Sequence, residues 1–203
     1  MLSQDTIIIL DWDDTLFPTT WCLKNGINLM QSKNRAQYAR LFKDLDIVLS
    51  VLIKKLQKYG KVVIVTNAML VWVRVSCVVL PKTFEVLKTI KVISARQLCQ
   101  SKYPTMMEWK SRTFKYVLNR ETKPTQKVNV VSIGDAEYEY RALVDLYNFP
   151  RQQKLLKTIR LVSNPSYNVL LDQIKALNQV IAEVCESKSH MDWDFKVVPS
   201  KTI

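Results

Sequence analysis

Three carboxylates stand within four residues at the end of a short apolar run. The run is Ile7–Leu10, and Asp11, Asp13 and Asp14 follow it almost directly. Ionised groups this close repel one another, and they are costly to hold unless a cation or a reaction needs them. Residues two apart in an extended segment project to the same side. We therefore expect Asp11 and Asp13 to share a side and Asp14 to point away.

Two kinds of chemistry use such a pair of carboxylates. One is a metal site, and the other is a nucleophile beside a general acid or base. A polar loop that caps a helix is the alternative, because Asp and Thr are good helix caps. The position directly after a buried strand favours chemistry.

Polar residues also follow two later strand-like runs. Thr66 and Asn67 come after the second run, and Gly134 and Asp135 come after the fourth. Carboxylate oxygens are the ligands that Mg²⁺ prefers, so Asp135 is a candidate to meet the first acidic cluster. Glu139 lies one helical turn further on and is placed to hold a metal-bound water, whereas Gly134 allows a close backbone approach or simply a tight turn.

The elements that must position these residues are strands alternating with helices. Short β-branched runs predict five strands: Thr6–Leu10, Lys61–Val65, Ile90–Ile93, Val128–Ile133 and Thr158–Val162. Stretches with helical spacing lie between them, including an amphipathic segment closed by Gly60 and a last helix that starts near Ser166. This alternation predicts an α/β fold, a three-layer α/β/α Rossmann-like domain with a mainly parallel sheet. Ligands bind such sheets at the carboxyl ends of the strands.

Composition narrows the classes of function. The chain has 203 residues, which fits one domain, and only three glycines, with no glycine-rich phosphate loop of the GxGxxG or GxxxxGK type. Four widely spaced cysteines and the single His190 do not form a plausible zinc site. They predict reduced thiols in an intracellular, cytoplasmic setting. His190 is predicted to be a surface residue, and no apolar stretch is long enough for a membrane span.

A formal net charge of +12 favours a polyanionic partner such as nucleic acid or a phosphoprotein. The lysines and arginines are scattered along the chain, so ordinary solvated faces explain them better than a basic block does. Four large aromatic residues fit core packing, with a recognition rim as the alternative. These residues are Trp12, Phe17, Trp21 and Trp72.

Taken together, these motifs resemble the four motifs of the haloacid dehalogenase (HAD) superfamily. They are Asp11-x-Asp13-x-Thr15, a hydrophobic strand ending in Thr66, Lys110 on a later helix, and Gly134-Asp135-x-x-x-Glu139. They occur in the family's order and span most of the chain. The first and fourth motifs together are specific, whereas the threonine and lysine motifs are weak singly. Trp12 and Glu139 are less common variants of the pattern.

The resemblance implies a Mg²⁺-dependent phosphatase. Asp11 would attack phosphorus and become an aspartyl phosphate, and Asp13 would act as acid and then base. The side chains of Asp11 and Asp135 and the backbone carbonyl of Asp13 would bind Mg²⁺. The phosphoryl oxygens would be held by Thr66, Asn67 and Lys110, and the site would be supported by Thr15, Gly134 and Glu139.

The resemblance also implies a small cap or none. Residues 17–34 are predicted to form a loop or flap, and residues 187–203 a loosely held tail. An open site would admit a large phosphorylated substrate, such as a phosphoprotein or a nucleic-acid end. Two rival hypotheses remain at this point. One is a non-catalytic module that docks a polyanionic or protein partner through this fold, and the other is a nucleic-acid-binding protein in which the carboxylates are incidental.

Overall fold

A six-stranded sheet forms the centre of the computed structural model, which describes residues 6–123, 125, 127–150 and 153–195. Every pair of neighbouring strands is parallel, and the strand order is β3-β2-β1-β4-β5-β6. The predicted α/β class is therefore confirmed, with six strands instead of five. Their bounds are β1 Thr6–Leu10, β2 Lys61–Thr66, β3 Lys91–Ser94, β4 Val128–Gly134, β5 Lys154–Arg160 and β6 Met191–Asp194.

Helices connect these strands. Two of the longer helices begin at side-chain caps, where Thr105 accepts from the Glu108 amide and Ser166 accepts from the Val169 amide. Within the described ranges the α-helices are α1 Thr19–Lys24, α2 Ser32–Gln37, α3 Ala39–Gln57, α4 Leu70–Ser76, α5 Pro81–Leu87, α6 Ala95–Cys99, α7 Met106–Glu121, α8 Glu137–Tyr147 and α9 Tyr167–Glu186.

Both faces of the sheet are buried, which makes the fold three-layered. Alternate residues of β1 enter two separate cores: Ile8 and Leu10 pack with α3 and α9, whereas Ile7 and Ile9 pack with α7 and α8. Residues 7–10 are at most 2% exposed. Strands covered on both faces have continuous apolar runs instead of alternating ones, which is why β1 could be predicted from sequence.

The direction of chain winding reverses at β1. The chain runs outward through β2 and β3 on one side, then returns to β4 on the other side and runs outward through β5 and β6. Leu10 lies beside Ile64 of β2 and Ile133 of β4. The loops after these strands therefore start side by side, at the edge where parallel sheets bind ligands.

The turn between α3 and β2 needs a glycine for close packing. A Cβ atom on Gly60 would lie 2.3 Å from the backbone oxygen of Thr6 at the start of β1. The prediction that Gly60 closes α3 was wrong, because the helix ends at Gln57 with Lys58 at its C-cap. The small size of Gly60 instead allows the backbone to approach β1.

Three further sequence predictions need correction. Residues 191–194 of the predicted loose tail form β6, because Arg160 of β5 pairs with Asp192 and Asp194 across the strands; residues 196–203 lie outside the described ranges. The predicted 17–34 flap is not a plain loop, since it contains α1 and the start of α2. The fifth strand, predicted at Thr158–Val162, begins earlier, at Lys154.

None of the described helices combines the length and the apolar character that crossing a bilayer requires. The four cysteines are free and buried. Burial raises the pKa of the Cys22 and Cys77 thiols to about 12 and that of Cys185 to about 11, so these three remain protonated thiols near neutral pH. His190 is exposed, as predicted, and its Nδ1 accepts a hydrogen bond from the Leu156 amide at 3.1 Å.

Candidate active site

The loops after β1, β2, β4 and β5 enclose one acidic cavity of about 450 Å³. Its floor is fixed by the sheet, because the Asp11 amide donates to the Ile133 carbonyl at 3.0 Å. A larger hollow of about 850 Å³ lies near the amino ends of β1 and β4, around Thr6 and Val128, and it does not contain the predicted site residues. The acidic cavity is lined by Asp11, Asp13, Asp14, Asn67, Met106, Lys110, Asp135, Ala136, Glu137, Tyr138, Glu139, Ser163 and Asn164.

Lys110 is the centre of a buried ionic cluster. It is 1% exposed and lies in the first turns of α7. Its Nζ lies 2.5 Å from Asp11 Oδ1 and 2.7 Å from Glu139 Oε1, and it donates to the Val65 carbonyl at 2.6 Å. Burial alone would lower the pKa of Lys110, but the two carboxylates raise it above its usual range, so the ammonium stays charged.

Asp11 has one engaged oxygen and one without a partner. The side chain is 8% exposed, and Oδ1 is held by Lys110. Oδ2 accepts no hydrogen bond from the described residues. Burial raises the pKa of Asp11 well above its usual range, and Glu139 and Asp13 raise it further, while Lys110 opposes them. A carboxylate in this position is oriented by Lys110 and still has a free oxygen for chemistry.

Asp13 is surrounded by donors. Oδ1 accepts from Thr19 Oγ1 at 2.6 Å and from Trp72 Nε1 at 2.7 Å, and Oδ2 accepts from Thr66 Oγ1 at 3.1 Å. The structure therefore brings Asp13 and Thr66 together, as predicted. The Thr66 hydroxyl accepts from the Ala68 amide and donates its hydrogen bond to Asp13 in this arrangement.

Asp14 does not point away from the other two acids, so that prediction was wrong. Its backbone is in the left-handed region with φ 55°, which ends the extended conformation on which the prediction depended. The side chain reaches the same cavity. It accepts from the Thr20 amide at 2.9 Å and from the Thr20 hydroxyl at 2.5 Å.

Asp135 lies opposite the first loop, as predicted. Its Oδ1 accepts from Thr15 Oγ1 at 3.3 Å, and its backbone oxygen accepts from the Ser163 hydroxyl. Burial, together with the nearby charges of Glu139 and Asp14, raises the pKa of Asp135 to about 7, against the hydrogen bond from Thr15, which lowers it. Thr15 thus supports the site by orienting Asp135.

Glu139 and Gly134 form the support on the other side. Besides the contact with Lys110, Glu139 Oε2 accepts from the Ala136 amide at 3.1 Å and caps α8. A Cβ atom on Gly134 would lie 2.4 Å from Glu139 Cγ. Glycine at 134 therefore makes room for the carboxylate that holds Lys110. Both oxygens of Glu139 are engaged, which differs from the predicted role of holding a metal-bound water.

The side chain of Asn67 has polar atoms that lack hydrogen-bond partners among the described residues. Its Nδ2 and Oδ1 are both shielded from solvent without a hydrogen-bond partner among the described residues, although Asn67 lines the cavity. A buried amide with no partner costs about 1–3 kcal/mol. An acceptor such as a phosphoryl oxygen would satisfy Nδ2, whereas Oδ1 would need a separate donor.

The donor set of the cavity fits Mg²⁺. Six carboxylates line it beside the single ammonium of Lys110, and such an excess of negative charge favours a hard cation. Among the described residues no three acidic, histidine or cysteine side chains are grouped closely enough to hold a metal by themselves. A metal would therefore also need a backbone oxygen. The Leu16 and Phe17 amides both donate to the Trp12 carbonyl, and the Asp13 carbonyl accepts no backbone hydrogen bond from the described residues.

The raised pKa of Asp135 predicts a pH-dependent stability in the metal-free protein. The pKa of Asp135 is about 7 in the folded protein, and an ordinary Asp in the unfolded chain has a pKa of about 4. Between these pH values the folded state keeps the proton and the unfolded state loses it, so the wild-type protein loses stability as the pH rises through that window. We expect the free energy of unfolding of Asp135→Asn, relative to that of wild type, to increase by about 1–3 kcal/mol when the pH is raised from 5 to 8. Urea unfolding in EDTA at both pH values measures the difference.

The exposed Asp145 of α8 provides the matched control for this measurement. Asp145→Asn should differ from wild type by the same small amount at both pH values. A difference between wild type and Asp135→Asn that does not change with pH would contradict the shifted titration.

Sequence reasoning missed three contributors to the site, which are Trp72, Thr19 and Asp14. Trp72 was interpreted as core, with a recognition rim as the alternative; it is half-buried and its indole donates to Asp13. Trp12 and Phe17 are fully buried, as the core interpretation predicted. The hydroxyl pair that follows Pro18 was the available signal, because hydroxyls near clustered carboxylates are natural donors to them.

No protein-family model matches the chain, and its sequence matches no curated protein. Among solved structures, the chain is similar to the HAD domain of effector protein Lem4 from Legionella pneumophila, with 12% sequence identity and a TM-score of 0.48. The alignment covers 92% of this chain and 98% of that domain. A likeness at this identity and TM-score carries no information on activity, so any activity must follow from the residues of the site.

Proposed function

We propose that the protein is a Mg²⁺-dependent phosphohydrolase that acts through an aspartyl phosphate on Asp11. One observation carries the proposal. Asp11 lies at the carboxyl end of the central strand with Oδ1 held by Lys110 at 2.5 Å, while Oδ2 is free within an acidic cavity that also contains Asp13 and Asp135. The four motifs that resemble the HAD superfamily meet at this place.

Asp11 is the nucleophile in this proposal. Lys110 orients the carboxylate, and Glu139 keeps Lys110 in place from the other side. Fixing the attacking oxygen in this way lowers the entropic part of the barrier. The same ammonium lies where negative charge on a transferring phosphoryl group would need compensation.

Asp13 is the general acid and base. It lies two residues after the nucleophile and lines the same cavity. Protonated, it would give its proton to the leaving oxygen; ionised, it would take a proton from the water that releases phosphate from Asp11. The phosphoryl oxygens would be bound by Thr66, Asn67 and Lys110.

Mg²⁺ would be held by the side chains of Asp11 and Asp135 and by the backbone carbonyl of Asp13. When bound, the ion supplies Lewis-acid stabilisation of charge on the phosphoryl oxygens. Thr15 orients Asp135 for this role through the 3.3 Å hydrogen bond.

The charge of the segment that follows the first acidic cluster favours a large or polyanionic substrate. Between Asp14 and Asp44 the chain has no acidic residue and five basic ones, and the same segment contains the two threonines that donate to Asp13 and Asp14. Exposed basic side chains attract phosphorylated macromolecules over a distance. The five are Lys24, Lys33, Arg35, Arg40 and Lys43, of which all except the half-buried Arg35 are exposed.

Turnover of a generic aryl phosphate tests the proposal. We expect the purified protein to release phosphate from 4-nitrophenyl phosphate with added Mg²⁺ and to stop in EDTA, and a longer phosphorylated peptide or oligonucleotide to compete. No release from a broad panel of phosphate esters with Mg²⁺ would contradict the proposed hydrolase. That result would favour a non-catalytic module that docks a polyanionic or protein partner.

A further inference from the structure

Three donors from separate parts of the chain hold the Asp13 carboxylate. Thr19 begins α1, Trp72 lies on α4, and Thr66 ends β2. Two of them share one oxygen: Oδ1 accepts from Thr19 Oγ1 at 2.6 Å and from Trp72 Nε1 at 2.7 Å. Among the described residues, Oδ2 accepts only the longer hydrogen bond from Thr66, at 3.1 Å. The two oxygens of Asp13 are therefore not equivalent.

The indole of Trp72 is a fixed donor. An indole N–H can donate but cannot accept, and it does not rotate as a hydroxyl does. The ring is also held by packing, since its edge meets the Phe17 ring with centroids 6.0 Å apart at 80°. Phe17 itself is fully buried. Oδ1 of Asp13 therefore faces a donor whose position the core determines.

We infer that Trp72 and Thr19 are positioning residues that hold Oδ1 of Asp13, so that Oδ2 is the oxygen that carries the proton in catalysis. This inference rests on the proposed hydrolase function. Oδ2 is the better candidate because its one donor is a hydroxyl that can rotate, whereas Oδ1 would have to give up a rigid N–H. Two donors already occupy the lone pairs of Oδ1, so the proton binds to Oδ2.

The proton on Oδ2 of Asp13 passes to the leaving group and is later replaced from water. Asp11 forms a bond to phosphorus while the bond between phosphorus and the leaving oxygen breaks, and the electron pair of that bond stays on the leaving oxygen. The leaving oxygen takes the proton from Oδ2, and Asp13 becomes a carboxylate. A water molecule then attacks the phosphorus of the aspartyl phosphate and gives a proton back to Oδ2. The bond between phosphorus and Asp11 breaks, its electron pair returns to the Asp11 carboxylate, and phosphate leaves, which restores both side chains.

Substrates with different leaving groups test this role. The substitution Trp72→Phe keeps the aromatic packing and removes the N–H. A nitrophenolate leaves without full protonation, but an alkoxide does not, so only the second depends strongly on the acid. We expect kcat for benzyl phosphate to fall about 10–100-fold and kcat for 4-nitrophenyl phosphate to change less than about threefold, with KM nearly constant.

Thr19 gives a second, independent test. Thr19→Val removes the hydroxyl and should show the same selective loss, whereas Thr19→Ser keeps the hydroxyl and should restore the rate. Trp21→Phe is the control, because Trp21 packs against Tyr38 and Tyr167 and is not one of the described residues that donate to Asp13. It should leave both substrates unaffected.

The results distinguish the positioning role of Trp72 and Thr19 from the proposed hydrolase function. Equal slowing of both esters in Trp72→Phe and Thr19→Val, or no slowing of either, overturns the positioning role while the hydrolase function stands. If the wild-type protein hydrolyses neither ester with Mg²⁺, the proposed function fails and this inference fails with it.

Discussion

Asp11→Asn should lower kcat for 4-nitrophenyl phosphate by at least about a thousandfold and leave the fold intact. An amide is a far weaker nucleophile than a carboxylate, so the first step of the proposed mechanism is lost. Asparagine has nearly the same shape, and its oxygen can still accept the hydrogen bond from Lys110. Steady-state kinetics with Mg²⁺ and circular dichroism measure the two expectations together.

Asp145→Asn is the matched control for this loss of activity. Asp145 is exposed on α8 and does not line the cavity, so its variant should retain the wild-type rate. If the rate of Asp11→Asn were within tenfold of the wild-type rate, Asp11 could not be the nucleophile. In that case Asp11 would serve only to bind a cation.

Lys110→Met should destabilise the metal-free protein by about 3–5 kcal/mol. The ammonium is 1% exposed and lies between two carboxylates, Asp11 and Glu139, whose side chains are 8% and 4% exposed. Methionine fills a similar volume but leaves both carboxylates without their counter-charge. Removing one partner of a buried ionic group costs far more than losing a surface pair. Urea unfolding in EDTA gives the change in the free energy of unfolding.

A second variant separates the charge effect from simple packing loss. Adding Glu139→Gln to Lys110→Met removes one uncompensated carboxylate, and we expect the double variant to regain part of the lost stability. Lys115→Met on the same helix is the control, since Lys115 is half-buried and has no ion pair with a described residue. A loss below about 1 kcal/mol for Lys110→Met would show that the ionic cluster contributes little.

The position of the site could be predicted from sequence because its signals are local. Each acidic or hydroxyl residue follows an apolar run, and parallel strands end at one edge of the sheet. Asp11, Thr66 and Asp135 meet there for this reason alone. Lys110 was chosen among many lysines through the resemblance to HAD motifs, and only the structure adds its two carboxylate partners.

The contacts that complete the site depend on long-range packing and could not be predicted. Trp72 donates to Asp13 although the two residues are 59 positions apart in the sequence. The apolar stretch around Trp72 shows neither distinct helical spacing nor distinct strand spacing. Asp14 was misplaced because its positive φ is a property of the folded loop.

The shifted start of β5 has a similar origin. Judged by composition alone, a lysine argues against a buried strand, but Lys157 is 0% exposed. Its Nζ donates to the Val184 carbonyl at 2.7 Å and to the Ser187 carbonyl at 2.6 Å, at the end of α9. Unsatisfied carbonyls at a helix end attract a cation, and this partner is far away in the sequence.

The most direct measurement is a crystal structure of the protein soaked with Mg²⁺ and beryllium fluoride, a mimic of a phosphoryl group. We expect the beryllium to be bonded to a carboxylate oxygen of Asp11, with Mg²⁺ beside it in contact with Asp135 and the backbone oxygen of Asp13. A structure in which Asp11 remains unmodified, with the fluoride complex elsewhere or absent although Mg²⁺ is bound, would contradict the aspartyl-phosphate chemistry.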